Sequence, residues 1–143
     1  MKSVTGKVVP IKPIVSYLKI PENSQPYIEG YRCGNCGEIF IGQRSSCSRC
    51  LETGGLSPIR LSDTGKLYNW TIVYRNFPNV KVPFVSAIID LDGGGTVKAT
   101  LVDVATSPAA ISFDMRVKLV CRELEQTDQD GNRYLGYFFA PHA

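Results

Sequence analysis

The chain has 143 residues and a net charge of +3, with 20% charged and 43% hydrophobic residues, a balance that excludes a disordered polymer. Lysines and arginines are scattered without a run of like charge, so nothing in the composition calls for a nucleic-acid partner. No apolar run approaches the ~18 residues of a membrane span, and Lys7, Pro10, Lys12 and Pro13 interrupt the first apolar residues before a signal-peptide core forms, so no membrane association is expected.

Residues 1–30 read as an N-terminal arm, broken by Pro10, Pro13, Pro21 and Pro26 and lacking a clean period. Its Val8, Val9, Ile11, Ile14, Val15, Tyr17, Leu18 and Ile20 are too apolar to stand in water. They must cover either the chain's own domain or a partner.

Residues 31–60 read as a zinc ribbon. Cys33, Cys36, Cys47 and Cys50 form two C-x-x-C pairs ten residues apart. Each C-x-x-C turn sets two thiolates on one side of a tight knuckle, as a metal with ~2.3 Å bonds to sulfur requires, and two knuckles complete a tetrahedron. Four protein ligands leave no open position, so the expected Zn2+ is structural. Gly34 and Gly37 ease the first knuckle; the second, Cys47-Ser48-Arg49-Cys50-Leu51, lacks such a glycine and is the less ideal turn. Two disulfides, free thiols and a rubredoxin-like iron site are the competing readings, the last separable by metal analysis and a visible spectrum. Metal-spaced cysteines with an odd fifth fit a reducing compartment, the cytoplasm. Glu38-Ile39-Phe40-Ile41-Gly42 is predicted to be a hairpin strand with Phe40 as a lid over the metal, and Leu51–Pro58 a turn-rich connector, with the module boundary at about residues 54–62.

Residues 61–143 read as a barrel, because the period becomes two. In Lys66–Tyr74, Tyr68, Trp70, Ile72 and Tyr74 share one face, as core residues do. Pro83–Leu91 alternates with Val85, Ala87, Ile89 and Leu91 on one side, and Asp92-Gly93-Gly94-Gly95 turns it into a strand over Thr96–Val104. Ser107-Pro108 followed by two alanines predicts a short helix or turn within Ser107–Phe113. Arg116–Leu124 is the fourth strand, with Val117, Leu119 and Cys121 inward, and Arg133–Phe139 the fifth. Five strands with a break between the third and fourth are the order of an OB-type barrel, so the predicted fold is mainly β, a rubredoxin-like zinc ribbon followed by a five-stranded OB-fold barrel.

No catalytic group is expected in this chain. Acyl transfer needs an activated nucleophile beside a base, yet the one histidine, His142, is the penultimate residue, and the spare thiol, Cys121, lies on an apolar strand face where cysteines are inert. Asp90, Asp92 and Asp103 flank a hairpin and read as solvated or turn-closing carboxylates. Nucleic-acid binding is the rival function, with Tyr68, Trp70 and Tyr74 as stacking residues; it lacks a positively charged groove.

Across residues 27–141 the chain resembles a bacterial and archaeal family of acyl-CoA-associated proteins with a zinc-ribbon head and an OB-fold body, long catalogued as a domain of unknown function. The cysteine quartet, Phe40 and Arg44, the run Gly65 to Tyr74, Pro83-Phe84-Val85, Ile88-Ile89-Asp90-Leu91, Met115-Arg116-Val117 and Phe138-Phe139-Ala140-Pro141 carry the resemblance. The chain departs from the family's pattern at Ser48, where proline is usual, at Leu51 and Asp114, where glycine is usual, at Gly93-Gly94-Gly95, where an acidic residue and glycine are common, and in its short, proline-rich N-terminal segment. The resemblance implies an auxiliary role beside a thiolase-like enzyme, or a hydratase or aldolase, acting on an acyl-CoA thioester; the leading specific form is a hetero-oligomer with a thiolase-like catalytic subunit, in the manner of the small zinc-finger subunit of a two-subunit benzoylsuccinyl-CoA thiolase. Partner contacts are expected through the apolar arm, Val8 to Ile20, and through exposed ribbon residues such as Arg44 and Arg49.

Overall fold

The computed structural model describes residues 11–22, 25–42, 44–51, 53–76, 78, 80–125 and 127–142. Ten strands follow in chain order: β1 (Ile11–Pro13), β2 (Leu18–Lys19), β3 (Tyr27–Cys33), β4 (Ile39–Ile41), β5 (Leu56–Arg60), β6 (Thr64–Val73), β7 (Phe84–Leu91), β8 (Thr96–Leu101), β9 (Arg116–Glu123) and β10 (Arg133–Pro141). The first five include the ribbon, in which β3 pairs antiparallel with β2, β4 and β5.

The last five close on themselves. β6 pairs with β7, β7 with β8, β8 with β10 in parallel, β10 with β9, and β9 returns to β6. That circuit is the OB barrel, and closure leaves no strand edge open around its circumference. Its interior is filled by alternating residues of each strand: Leu67, Val85, Ala87, Ile89, Val97, Val117 and Phe139 are buried. The short helix or turn expected between the third and fourth barrel strands is a single 3-10 turn, Pro108–Ala110, capped by the Ser107 hydroxyl, which accepts from the Ala109 amide. Two alanines and no apolar stripe give a longer helix nothing to bury.

The alternation expected in β6 holds only after a bulge. Leu67 pairs with Ile89 and Asn69 with Ile88, so Tyr68 is the extra residue in the strand. Before the bulge Gly65 and Leu67 face the core; after it Trp70 and Ile72, opposite Ala87 and Val85, do. Tyr68 is therefore 61% exposed, and Tyr74, one residue past the strand, is 65% exposed. The reading that placed both among core residues is corrected. Gly65 is obligatory for a different reason, since a Cβ there would strike the carbonyl oxygen of Asp90 on the neighbouring strand.

The arm covers its own chain over the described residues; Val8 and Val9 lie outside them. β1 runs parallel to β10, Leu18 is fully buried, and the Glu29 amide donates to the Tyr17 carbonyl. Tyr17 and Tyr137 meet edge to face, their hydroxyls 2.8 Å apart, and the Tyr137 hydroxyl also donates to the Lys98 carbonyl. The arm thus straps the ribbon to the barrel. A second junction is the three-glycine hairpin of β7 and β8: a Cβ on Gly94 would lie 2.5 Å from Ile39 Cδ1, so only glycine lets the hairpin approach β4 this closely.

Carboxylates pin the loops. Asp92 accepts from both guanidinium nitrogens of Arg116 and from the Thr64 hydroxyl, which holds its carboxyl well below the usual range. Asp128 accepts from the Asn132 side chain and amide, the Tyr134 hydroxyl and the Asp130 amide, and its pKa is held at about 2. Both groups bind protons less readily folded than unfolded, so the stability they contribute is complete above about pH 4 and is lost as pH falls through their folded values. Urea midpoints measured from pH 5 to pH 2.5 are expected to fall with acid, and to fall less steeply in Asp92→Asn and Asp128→Asn, which no longer titrate. Equal slopes in all three proteins would contradict this. The comparison between variants is needed because acid would also protonate thiolates that hold a metal.

Candidate metal centre

β3 ends at Cys33, the chain turns through Gly34-Asn35-Cys36, and β4 begins at Ile39; the second knuckle, Cys47 to Cys50, lies in the loop before β5. The Cys33 amide donates to the Glu38 carbonyl and the Gly34 amide to the Gly55 carbonyl, both at 2.8 Å, so the first knuckle is tied to the segments that lead into β4 and β5. The four sulfurs lie within 4.8 Å of one another. Two pairs join one knuckle to the other, Cys33 Sγ to Cys50 Sγ and Cys36 Sγ to Cys47 Sγ, each at 3.6 Å.

These separations bear on the disulfide reading left open by the sequence. A disulfide needs ~2.05 Å, whereas a regular tetrahedron with ~2.3 Å metal–sulfur bonds has edges of about 3.8 Å. The thiol set fits one tetrahedral metal ion. The amides of Arg49 and Cys50 donate to Cys47 Sγ, each from 3.4 Å. At Cys36 the Glu38 backbone favours the thiolate, but desolvation and the sulfurs of Cys47, Cys50 and Cys33 together push its pKa up to about 12. Thiols packed this closely ionise together only around a cation, so a divalent metal would bind with release of protons.

The knuckles also differ at the residue that follows the second cysteine, Gly37 in one and Leu51 in the other. Leu51, directly after Cys50, has φ +67°, a left-handed conformation that costs an L-residue roughly 1–2 kcal/mol relative to the ordinary helical region. Asp114 also has positive φ, +65°, which explains the glycine usual there in the resembling family; a short polar side chain tolerates this geometry better than leucine does.

The other residues singled out from the sequence fall as follows. The Phe40 ring is covered by the Arg44 guanidinium, 4.4 Å from its centroid, and that contact, rather than a lid over the metal, is the one the structure shows. Arg49 pairs with Glu38 across the two knuckles. Cys121 is half-buried rather than fully inward; burial, and secondarily the Asp63 carboxylate, push its thiol up, opposite to the shift a nucleophile needs. His142 is exposed, its backbone amide bonded to the Arg116 carbonyl. Asp103 is held by Arg122, and Asp90 accepts from the Thr96 hydroxyl. The exposed Tyr68 and Tyr74 remove one objection to base stacking. Five of the basic residues, Lys19, Arg49, Arg116, Arg122 and Arg133, are nonetheless each tied to a carboxylate, which lowers the positive charge they offer a phosphate. Among the described residues no helix is long and apolar enough to cross a membrane.

A closed four-thiol knuckle pair strapped to an OB barrel defines a class of small two-module β proteins. Residues 59–122 match the family described as "ChsH2, C-terminal OB-fold domain". The chain is 32% identical over 115 residues to a DUF35 domain-containing scaffold protein of Methanocaldococcus jannaschii, covering 78% of this chain and 79% of that one, and 34% identical to a protein of the same description from Pyrococcus furiosus, covering 78% and 81%. It belongs to the DUF35 family, as the sequence resemblance implied. It is also 28% identical to the benzoylsuccinyl-CoA thiolase subunit BbsA of Thauera aromatica, over 80% of this chain and 76% of that one. The solved Ltp2-ChsH2(DUF35) aldolase shares the fold with a TM-score of 0.61 at 22% identity, over 80% of this chain and 84% of that one.

Proposed function

We propose that this chain is a non-catalytic, zinc-binding auxiliary subunit of a thiolase-type acyl-CoA enzyme. Cys33, Cys36, Cys47 and Cys50 are the ligands of a structural Zn2+, which when bound cross-links the two knuckles and does no chemistry of its own. In this reading the arm (1–30), the ribbon (31–60) and the barrel (61–143) form one body that docks on the catalytic subunit in a hetero-oligomer and helps form or cover its acyl-CoA site, in the cytoplasm. The observation that carries the reading is the match to a thiolase subunit over most of both chains. The side chains agree with it: the spare thiol is shifted away from reactivity and the one histidine is exposed at the far end of the chain.

The test is affinity purification of the tagged chain from its native host in mild salt. The expected result is a thiolase-like protein in near-equal amount and cleavage of an acyl-CoA thioester by the complex, with benzoylsuccinyl-CoA the first substrate to try. Recovery of nucleic acid with RNA-binding proteins, or of no stoichiometric partner, would count against the proposal.

A further inference from the structure

We propose that Leu51 is an anchor residue with which the second knuckle enters an apolar socket on the catalytic subunit, an inference that rests on the auxiliary-subunit reading above. The two knuckles are one turn built twice. In the first, the Gly37 amide donates to the Cys33 carbonyl at 2.8 Å, with Gly37 at φ +82°. In the second, the Leu51 amide donates to the Cys47 carbonyl at the same distance, with Leu51 at φ +67°. Each residue directly follows the second cysteine of its pair. The turn asks for left-handed backbone, which glycine adopts freely and leucine resists.

A side chain held against its backbone preference ordinarily gives a return elsewhere. Inside the fold Leu51 gives none: it is 78% exposed, more than any other large hydrophobic residue among those described, and stands outside the core cluster. Its neighbour Cys50 is one of the four clustered thiols, so a bound metal fixes the backbone from which the leucine projects. A side chain presented on a rigid turn has little freedom left to lose on binding, which is the condition for a small contact to be strong. Two residues earlier, Arg49 is paired with Glu38 while 68% of its side chain remains exposed, so the same turn offers a cation beside the leucine. The complementary socket is apolar at its floor with a carboxylate at its rim.

The experiment uses the zinc-loaded full chain and its Leu51→Gly and Leu51→Met variants, each measured by thermal melting and by titration against the co-purified catalytic subunit. Leu51→Gly should melt a few degrees higher, because the turn loses its unfavourable φ, and should bind about 10- to 100-fold more weakly, the range that burying one leucine supplies. Leu51→Met keeps the apolar bulk and should stay within about threefold of the parent. Undiminished binding by Leu51→Gly overturns the proposal and leaves the auxiliary-subunit reading standing. A lower melting temperature for Leu51→Gly also overturns it, since the leucine would then be serving the fold. Sedimentation that shows the parent dimeric and Leu51→Gly monomeric reassigns the contact to a second copy of this chain. If the parent itself recovers no thiolase-type subunit, the auxiliary-subunit reading fails first, and the anchor with it.

Discussion

Removal of the metal, by a chelator or by Cys47→Ser, is expected to unfold β3 to β5 while β6 to β10 keep their structure. The ribbon strands are short, with seven, three and five residues. β3 buries Ile28 and Cys33, but its two partners bury little: all of β4 is half-buried, and β5 has no buried residue. Strands of this size do not remove enough apolar surface from water to offset the entropy of ordering them. In isolated zinc-finger peptides the metal supplies about 10–16 kcal/mol of apparent binding free energy, and that binding is the folding. Cys47 is the severest position to change, because it is fully buried and its sulfur also receives two backbone amides. Hydrogen exchange followed by mass spectrometry, with metal content measured on the same samples, gives the answer. Protection that survives across residues 27–60 after complete loss of metal would show that the cysteines do not hold the ribbon. Cys36→Ser, at the exposed corner of the site, should lose the metal too, and retention of zinc in that variant would exclude the four-thiolate assignment.

Phe139→Ala should be the most damaging single change in the barrel, at about 3–5 kcal/mol. Phe139 is fully buried and sits where three strands meet, opposite Leu119 on β9 and Leu101 on β8, with its carbonyl accepting from the Val102 amide. The closing contact between β8 and β10 is short, so surrounding side chains cannot collapse into the space without opening the barrel. A loss of this size is a large share of the roughly 5–15 kcal/mol that holds an ordinary domain together, and lowers the melting temperature by on the order of 10 °C. Phe138, the adjacent residue on the other face, lines an open groove with Val80 and Leu124, and its alanine variant should lose clearly less. Equal losses at the two positions would mean that β10 presents the other face to the core.

The match between pattern and fold is uneven for physical reasons. Val85, Ala87, Ile89 and Leu91 were legible because β7 is regular and flanked on both sides, so its alternation runs unbroken into burial. The same logic applied to β6 misplaced Tyr68, because a bulge shifts the alternation by one residue and no local signal in Leu67-Tyr68-Asn69 announces it. The arm shows a different limit. Its apolar residues announced burial but not against what, since the parallel pairing with Arg133–Leu135 joins residues more than a hundred positions apart. Asp92 and Arg116 carry no sequence mark of their pairing for the same reason.

The sequence by itself determined the four-cysteine cluster, the mainly β organisation and the five barrel strands, because a C-x-x-C turn, a glycine hairpin and a period of two are each complete within a few residues. The tertiary structure alone decided that the arm straps ribbon to barrel through Tyr17 and Tyr137, that Gly94 exists to admit Ile39, and that Leu51 stands in water on a backbone suited to glycine. Each of those depends on where a distant segment comes to lie, or fails to lie, and that position is set by the packing of the whole chain.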